Sequence, residues 1–488
     1  MMPRPLPATP PFARVLVANR GEIAIRVMRT LRELGCTSIA IYSDADRESL
    51  HVKYADEAWS IGGNLPAESY LRADIVLDVA RAAGADAIHP GYGFLAENAA
   101  FAHACAEAGI VFVGPSPNAI EQMGSKTRSR EIMRAAGVPI VPGSTEPLDS
   151  LEDARITAMD VGYPVAVKAR SGGGGKGFRV ALTEHDLEAA FAGASGEGAR
   201  YFADPVVYIE RYLPEPRHVE VQILADHHGS VVHLGERDCT VQRRHQKLIE
   251  ESPCPVASDE LRQQLTAIAL GAARAVDYTN AGTIECLLDA AGNAYFLEMN
   301  TRVQVEHTVT EMVTGIDIVA EQLRIAAGMP LSVTQDEIVM RGHAIECRIN
   351  AEDPRHDFRP ASGRITRWDT PQGIGVRIDS GVAAGSTVSP YYDTMLAKLI
   401  VHARTREEAR ARMLRALSEF HIEGVETLVA FHEAAIAGDD FAQAGSCREL
   451  ISNPASALAE SQSDSFIMIG APTDPESGLP LVGHDRIG

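Results

Sequence analysis

Between Arg14 and Ser116 the apolar residues change their spacing several times, from short continuous runs to a helical period and back, and few folds accommodate that alternation. Val15-Leu16-Val17-Ala18 has the look of a buried strand, and after Gly21 the residues Ile23, Ala24, Val27, Met28, Leu31 and Leu34 keep helical spacing until Gly35 stops them. Strands over 38–43, 87–88 and 110–113, and helices around 75–80 and 99–108, continue the series. Repeated strand–helix units predict a parallel, doubly wound sheet. The turn after the first strand, Asn19-Arg20-Gly21-Glu22, lacks the G-x-G-x-x-G that lets a pyrophosphate approach the backbone, so the expected shape is Rossmann-like without a dinucleotide.

A chain of 488 residues has room for about three domains at roughly 150 residues each. A second block begins near Lys126, contains the glycine run 172–175, and turns strand-rich over 217–226, 230–242 and a hairpin around Gly292-Asn293, before a helix over 316–327. A third, from Gly342 to about Gly438, holds strands, turns and a helix over 406–419. From Asn453 onward a Ser-, Pro-, Asp- and Gly-rich stretch without periodicity predicts a flexible tail. The formal charge of −21 opposes attraction to a polyanion, which excludes nucleic acid as the main ligand. Seven scattered cysteines with no C-x-x-C pair, no apolar signal helix and no run near the ~20 residues of a membrane span predict a cytoplasmic protein.

Five segments carry chemistry. Lys168 and Lys176 flank four glycines between two expected antiparallel strands, a loop whose bare amides suit either a phosphate cradle or a flexible tip. In the hairpin 282–300 the midpoint of 285 and 298 falls at the turn, so a symmetric hairpin sets Glu285 opposite Glu298. Like charges so placed call for a divalent cation, and Asn300, of the same parity, adds an oxygen to a set suited to Mg²⁺. Beyond it, Arg302, Gln304 and Glu306 share one parity if the chain stays extended, putting a guanidinium beside a carboxylate base. His218, Glu220 and Gln222 form a polar strand face, and Gln242-Arg243-Arg244-His245-Gln246-Lys247 gathers three cations and a histidine in an acidic chain.

Together with His89-Pro90-Gly91-Tyr92-Gly93, Glu236-Arg237-Asp238-Cys239 and Glu346-Cys347-Arg348-Ile349-Asn350, these motifs resemble the biotin carboxylases of the ATP-grasp superfamily, over nearly everything from Arg14 to about Leu450. The resemblance implies an α/β and α+β fold: a Rossmann-like N-terminal domain (12–125), an ATP-grasp domain (126–330, with a lid at about 140–212) and a C-terminal domain (331–452), followed by the tail 453–488. It implies an ATP-dependent ligase that phosphorylates bicarbonate to carboxyphosphate and passes the CO2 to biotin on a carrier protein, the first half-reaction of a carboxylase such as acetyl-CoA carboxylase in fatty acid synthesis. By motif, Lys126, Lys168, Gly174, Gly175, Glu210, Leu213, His218 and His245 would bind ATP. Glu285, Glu298 and Asn300 would hold Mg²⁺ or Mn²⁺, the two glutamates contributing to the nucleotide site as well. Lys247, Arg302 and Val305 would bind bicarbonate, with Glu306 as base, and Arg348 and Tyr92 would meet biotin. The implied partners are a biotin carboxyl carrier protein, a separate carboxyltransferase and a second copy of the chain, with Arg29 and Glu33 near the homodimer interface. No Met-Lys dipeptide of the kind around a carrier's biotinylated lysine occurs, so the biotin is expected on another polypeptide. Two positions depart from the family's pattern: Arg170 stands where small residues are usual and Thr308 where proline is usual. The first is expected to affect lid closure and the second only local rigidity.

Overall fold

The computed structural model describes residues 10–144, 146–148, 150–169, 177–202 and 204–454, excepting the side chains at 126–127 and 201–202. Five parallel strands, β1 (Arg14–Val17), β2 (Thr37–Tyr42), β3 (Glu57–Ser60), β4 (Ala87–His89) and β5 (Val111–Phe112), pair in the order β3-β2-β1-β4-β5. This is the doubly wound sheet that the alternation predicts. Helix Gly21–Glu33 buries Ile23, Val27, Met28 and Leu31 against Val15 and Val17. The edge strand β3 was not expected, since none of its four residues is fully buried and its apolar signal is weak.

Strands β6 (Val165–Ala169), β7 (Phe178–Ala181) and β8 (Val207–Arg211) form a small antiparallel sheet in the order β7-β6-β8. Helices Leu151–Val161 and Leu187–Phe202 supply Ala154, Ala158, Leu187 and Ala194 to a core shared with Val165, Val167, Val207 and Ile209. The expected strands therefore flank the glycine run, while the run itself, with Arg170, Gly174, Gly175 and Lys176, lies outside the described residues, as does the chain after 454.

The largest element is an antiparallel sheet of β9 (Arg217–Ala225), β10 (Val231–Arg243), β11 (Gln246–Ser252), β12 (Asn280–Leu288), β13 (Ala294–Asn300), β14 (His343–Asn350), β15 (Val376–Ser380) and β16 (Met395–Ala403). Its order is β13-β12-β9-β10-β11-β14-β16-β15, and the β11–β14 pairing carries it through residue 330 without a break. Helix Asp259–Ala275 covers one part, packing Leu265, Ile268 and Ala272 on Val219, Val221 and Ile284. Helix Arg406–Ser418 covers the other, with Met413 and Leu417 against Ile345 and Leu399. The expected extension of the chain through Glu306 does not occur: the strand ends at Asn300, and after an irregular loop a helix spans His307–Thr314.

Candidate active site

Glu285 and Glu298 are direct cross-strand partners, as the hairpin spacing predicts, but the route is different. The register shifts between Glu285 and Cys286, so that Cys286 faces Phe296 and Leu297 is the extra residue of a β-bulge. The bulge explains why Phe296 and Met299, three apart, are both in the core while Glu298 and Asn300 face the cleft. Leu287 and Leu297 are partly exposed and form apolar wall in the cleft.

That cleft, about 1150 Å³, lies between the small sheet and the large one. At its floor Lys247 is buried and donates to three carboxylates: Glu220 at 2.6 Å, Glu285 at 2.8 Å and Glu306 at 2.6 Å. Burial works to lower the Lys247 pKa, but Glu220 and Glu306 hold the ammonium charged well above its ordinary range. Burial would raise Glu306, yet Lys247, Arg348 and Arg237 keep it ionised well below the carboxylate range. Arg348 Nη2 reaches Glu306 at 2.9 Å and its Nε reaches Glu250 at 2.6 Å. His218 Nε2 lies 3.0 Å from Glu285; desolvation opposes its charge, and Glu285 outweighs it and raises the pKa. Asn300 and Gln304 also donate to Glu285, at 2.9 and 2.8 Å.

The expected parity of Arg302 with Glu306 fails with the strand that carried it. Arg302 turns to Glu97 at 2.9 Å and to Asn300 Oδ1 at 2.9 Å, and the guanidinium beside Glu306 is Arg348. Arg302, Val305 and Glu306 nevertheless all line the cleft. On its small-sheet side, Lys168 pairs with Glu210, which also takes Arg130 at 2.9 Å, and Leu213 lines the wall. Lys126 opens the helix Lys126–Ala135. The basic run is a hairpin whose two-residue turn, Arg244-His245, has φ of 49° and 68°, so successive residues diverge. Lys247 goes inward, His245 lies at the exposed turn on the cleft's edge, and Arg243 pairs with Asp357. Tyr92 does not line the cleft; its hydroxyl donates to Glu22.

The sequence motifs include Arg237 without a role for it, and they pass over Glu97 and Glu250. Arg237, wholly buried, directs its guanidinium to Glu220, Gln222, Thr310, Thr283 and Gln304 and so fixes two of the groups that hold Lys247 and Glu285. Its place in the charged run Glu236-Arg237-Asp238 of a strand was the available signal. Among the described residues a divalent cation has three donor sets to choose from. Two share Glu220, with His218 and Glu285 or with Cys239 and Glu306, and mix oxygen with nitrogen or sulfur. Glu285, Glu298 and Asn300 offer oxygens alone at the cleft wall, which suits a hard cation such as Mg²⁺, although the cation would have to displace donors now held by Glu285 and Asn300 Oδ1.

A nucleotide-sized cleft between a small antiparallel lid sheet and a large sheet bearing paired glutamates and lysines defines an ATP-grasp enzyme, an ATP-dependent ligase. Residues 125–334 match the ATP-binding domain of the carbamoyl-phosphate synthase L chain, residues 11–120 the biotin carboxylase N-terminal domain, and residues 346–453 the biotin carboxylase C-terminal domain. The chain is 53% identical over 420 residues to Biotin carboxylase 1 of Bacillus subtilis, covering 86% of this chain and 93% of that protein. It is 52% identical to a pyruvate carboxylase subunit of Methanothermobacter thermautotrophicus, covering 88% and 87%. The crystal structure of a Campylobacter jejuni biotin carboxylase–βγ-ATP complex superposes with a TM-score of 0.84 at 46% identity, covering 88% of this chain and 96% of that one. The biotin carboxylase domain dimer of Hydrogenobacter thermophilus 2-oxoglutarate carboxylase, with MgADP, ADP and bicarbonate, gives 0.85 at 46% identity over 92% and 98%. The chain belongs to the biotin carboxylase family.

Proposed function

We propose that this chain carboxylates biotin on a separate carrier protein at the expense of ATP and bicarbonate. The observation that carries the reading is Lys247 gathered with Glu220, Glu285 and Glu306 beneath Arg348 at the floor of a cleft whose upper wall bears Lys168. ATP would lie between the sheets, held by Lys126, Lys168, Gly174, Gly175, Glu210, Leu213, His218 and His245. Bicarbonate would be gripped by Lys247, Arg302 and Val305; its arrival draws Lys247 off Glu306, and the carboxylate, relieved of a cation, becomes basic enough to take the bicarbonate proton. The bicarbonate oxygen then attacks the γ-phosphorus as the bond to ADP breaks, giving carboxyphosphate. Glu285, Glu298 and Asn300 would hold Mg²⁺, which would supply charge neutralisation for the transferring phosphoryl group. Carboxyphosphate breaks at its C–O bond into CO2 and phosphate; the phosphate takes the proton from biotin N1 while Arg348 donates to the developing ureido oxyanion, and N1 bonds to the CO2 carbon. The three regions 12–125, 126–330 and 331–452 would act together, with the lid closing to exclude water from carboxyphosphate.

Two relatives are named for different carboxylases, of pyruvate and of 2-oxoglutarate, so the chain would serve acetyl-CoA carboxylase or a related acyl-CoA or 2-oxoacid carboxylase through a carboxyltransferase partner. A cytoplasmic homodimer is proposed with it, on the dimeric relative; among the described residues no helix is long and apolar enough to cross a membrane. The test is ATP turnover by the full chain with Mg²⁺ and free biotin. Turnover should require bicarbonate and rise with biotin, whereas hydrolysis in depleted buffer that ignores restored bicarbonate would refute the reading.

A further inference from the structure

Two carboxyl groups beside the floor cluster face each other in full burial. Glu250 on β11 and Glu346 on β14 are direct antiparallel partners, neither with any exposed surface. Directly opposed residues of one sheet face have Cβ atoms about 5 Å apart. Their four oxygens divide into two kinds. Glu250 Oε1 accepts Arg348 Nε at 2.6 Å and Nη2 at 2.5 Å, and Glu346 Oε2 accepts the Thr308 hydroxyl. Glu250 Oε2 and Glu346 Oε1 have no hydrogen-bond partner among the described residues.

The charged groups around the pair are already engaged. Arg348, on β14, is shared with Glu306; Lys398, on β16, donates to the Val305 carbonyl at 2.9 Å and lies 3.3 Å from Glu22; Lys247, on β11, serves Glu220, Glu285 and Glu306. From the helix His307–Thr314 comes the neutral Thr308, with His307, whose burial keeps its ring uncharged. No cation among these is left for a second negative charge, and two bare ionised oxygens cannot be accommodated so close in a dry site.

We propose that Glu346 carries a proton on Oε1 and donates it to Glu250 Oε2, and that this acid–carboxylate pair is a positioning device that keeps Arg348 turned toward Glu306 and biotin with its charge uncancelled. Every oxygen then has a partner: Thr308 on Glu346 Oε2, the shared proton between the two inner oxygens, and Arg348 on Glu250 Oε1. Burial pushes the Glu250 carboxyl up to about 7 and the Glu346 carboxyl well above its ordinary value, in the same sense. Thr308 is therefore more than a change in local rigidity, because its hydroxyl ties the pair to the helix turn that begins at Glu306. Loss of the proton places a second negative charge beside Arg348, which draws the guanidinium from Glu306.

The role assigned to Arg348 rests on the proposed function; the shared proton does not. Infrared spectroscopy of the ligand-free full chain, in H2O and D2O from about pH 6 to about pH 9, reads the proton directly as a protonated-carboxyl C=O band. The band is expected at neutral pH in the wild type and in Glu306→Gln, and the wild-type-minus-Glu346→Gln difference should show the loss of one carboxyl, with Glu22, whose burial also raises its pKa, common to every variant. No band in the wild type, or one of unchanged intensity in Glu346→Gln, overturns the proposal. In turnover, Glu346→Gln should remove one ionisation from the alkaline limb of kcat, and Thr308→Val should lower kcat about tenfold with KM for ATP little changed. Superimposable pH profiles would overturn the positioning role, while a chain without bicarbonate-dependent turnover refutes the functional reading and leaves the infrared result standing.

Discussion

An ammonium group has three protons to give, and Lys247 gives one each to Glu220, Glu285 and Glu306. A guanidinium has five, and Arg237 spends them on five acceptors behind that cluster. Both residues are saturated, so any anion that binds at the floor of the cleft would have to compete for Lys247, while Arg237 has every donor engaged behind it. Glu298 differs, being only half-buried on the neighbouring strand, opposite a Glu285 that has four donors of its own. Glu298→Gln is therefore expected to lower kcat at least about a hundredfold at limiting Mg²⁺ and to leave stability within about 0.5 kcal/mol, since it removes a ligand and a repulsion together. Magnesium titrations of turnover beside thermal melts check both halves; wild-type turnover at limiting Mg²⁺ would refute the metal assignment.

Among the elements, the loops that leave β1 and β2 are tied by one carboxylate. Asp46 takes Arg20 at 2.6 and 2.7 Å, the Tyr70 hydroxyl at 2.7 Å and Ser49 at 2.8 Å, at 2% side-chain exposure. Burial favours its neutral form, but the hydrogen bonds from Arg20 prevail and lower the pKa to about 2. A pKa depressed in the folded state stabilises above the unfolded value of 3.8 and is lost as pH falls from there toward 2, a contribution of about 2 kcal/mol at neutral pH. Asp46→Asn should cost about that at pH 7 and nothing near pH 2, read from urea midpoints at both. What was legible in the sequence divides along the same lines. The parallel sheet and the Glu285–Glu298 pairing rest on local period and turn spacing, which a single strand or hairpin decides. The bulge at Leu297 left a trace in Phe296-x-x-Met299, an apolar spacing that an unbroken strand cannot bury on one face. The Arg302–Glu306 contact was misjudged because the strand stops at Asn300, and because Glu97, 205 residues away in sequence, claims Arg302 through tertiary contact alone.

Across the whole molecule, the parallel sheet and the large antiparallel sheet are joined through buried charge. Glu311, in the helix His307–Thr314, accepts Arg26 from helix Gly21–Glu33 at 2.7 Å and Arg377 from β15 at 2.7 Å, and Arg377 continues to Asp379 at 2.6 Å. Arg26 also reaches Asp317 at 2.8 Å. Arg29 and Glu33, which the family resemblance sets near a dimer interface, line a shallow cavity of about 340 Å³ with these same groups. Burial opposes charge on Glu311, but Arg26 and Arg377 hold it ionised below its usual pKa. Glu311→Gln keeps the size of the side chain while leaving two guanidinium groups against an amide. Breaking a buried pair from one side costs about 3 kcal/mol, and here the loss falls on the junction, not on either sheet. The N-terminal region should therefore unfold first, so that calorimetry of the variant resolves two transitions, the lower one restored toward the upper by Glu311→Asp only if the shorter carboxylate still reaches both arginines. A single transition with an unchanged midpoint would mean that the apolar contacts of Ile23, Val27 and Ile318 hold the two sheets together without the charges.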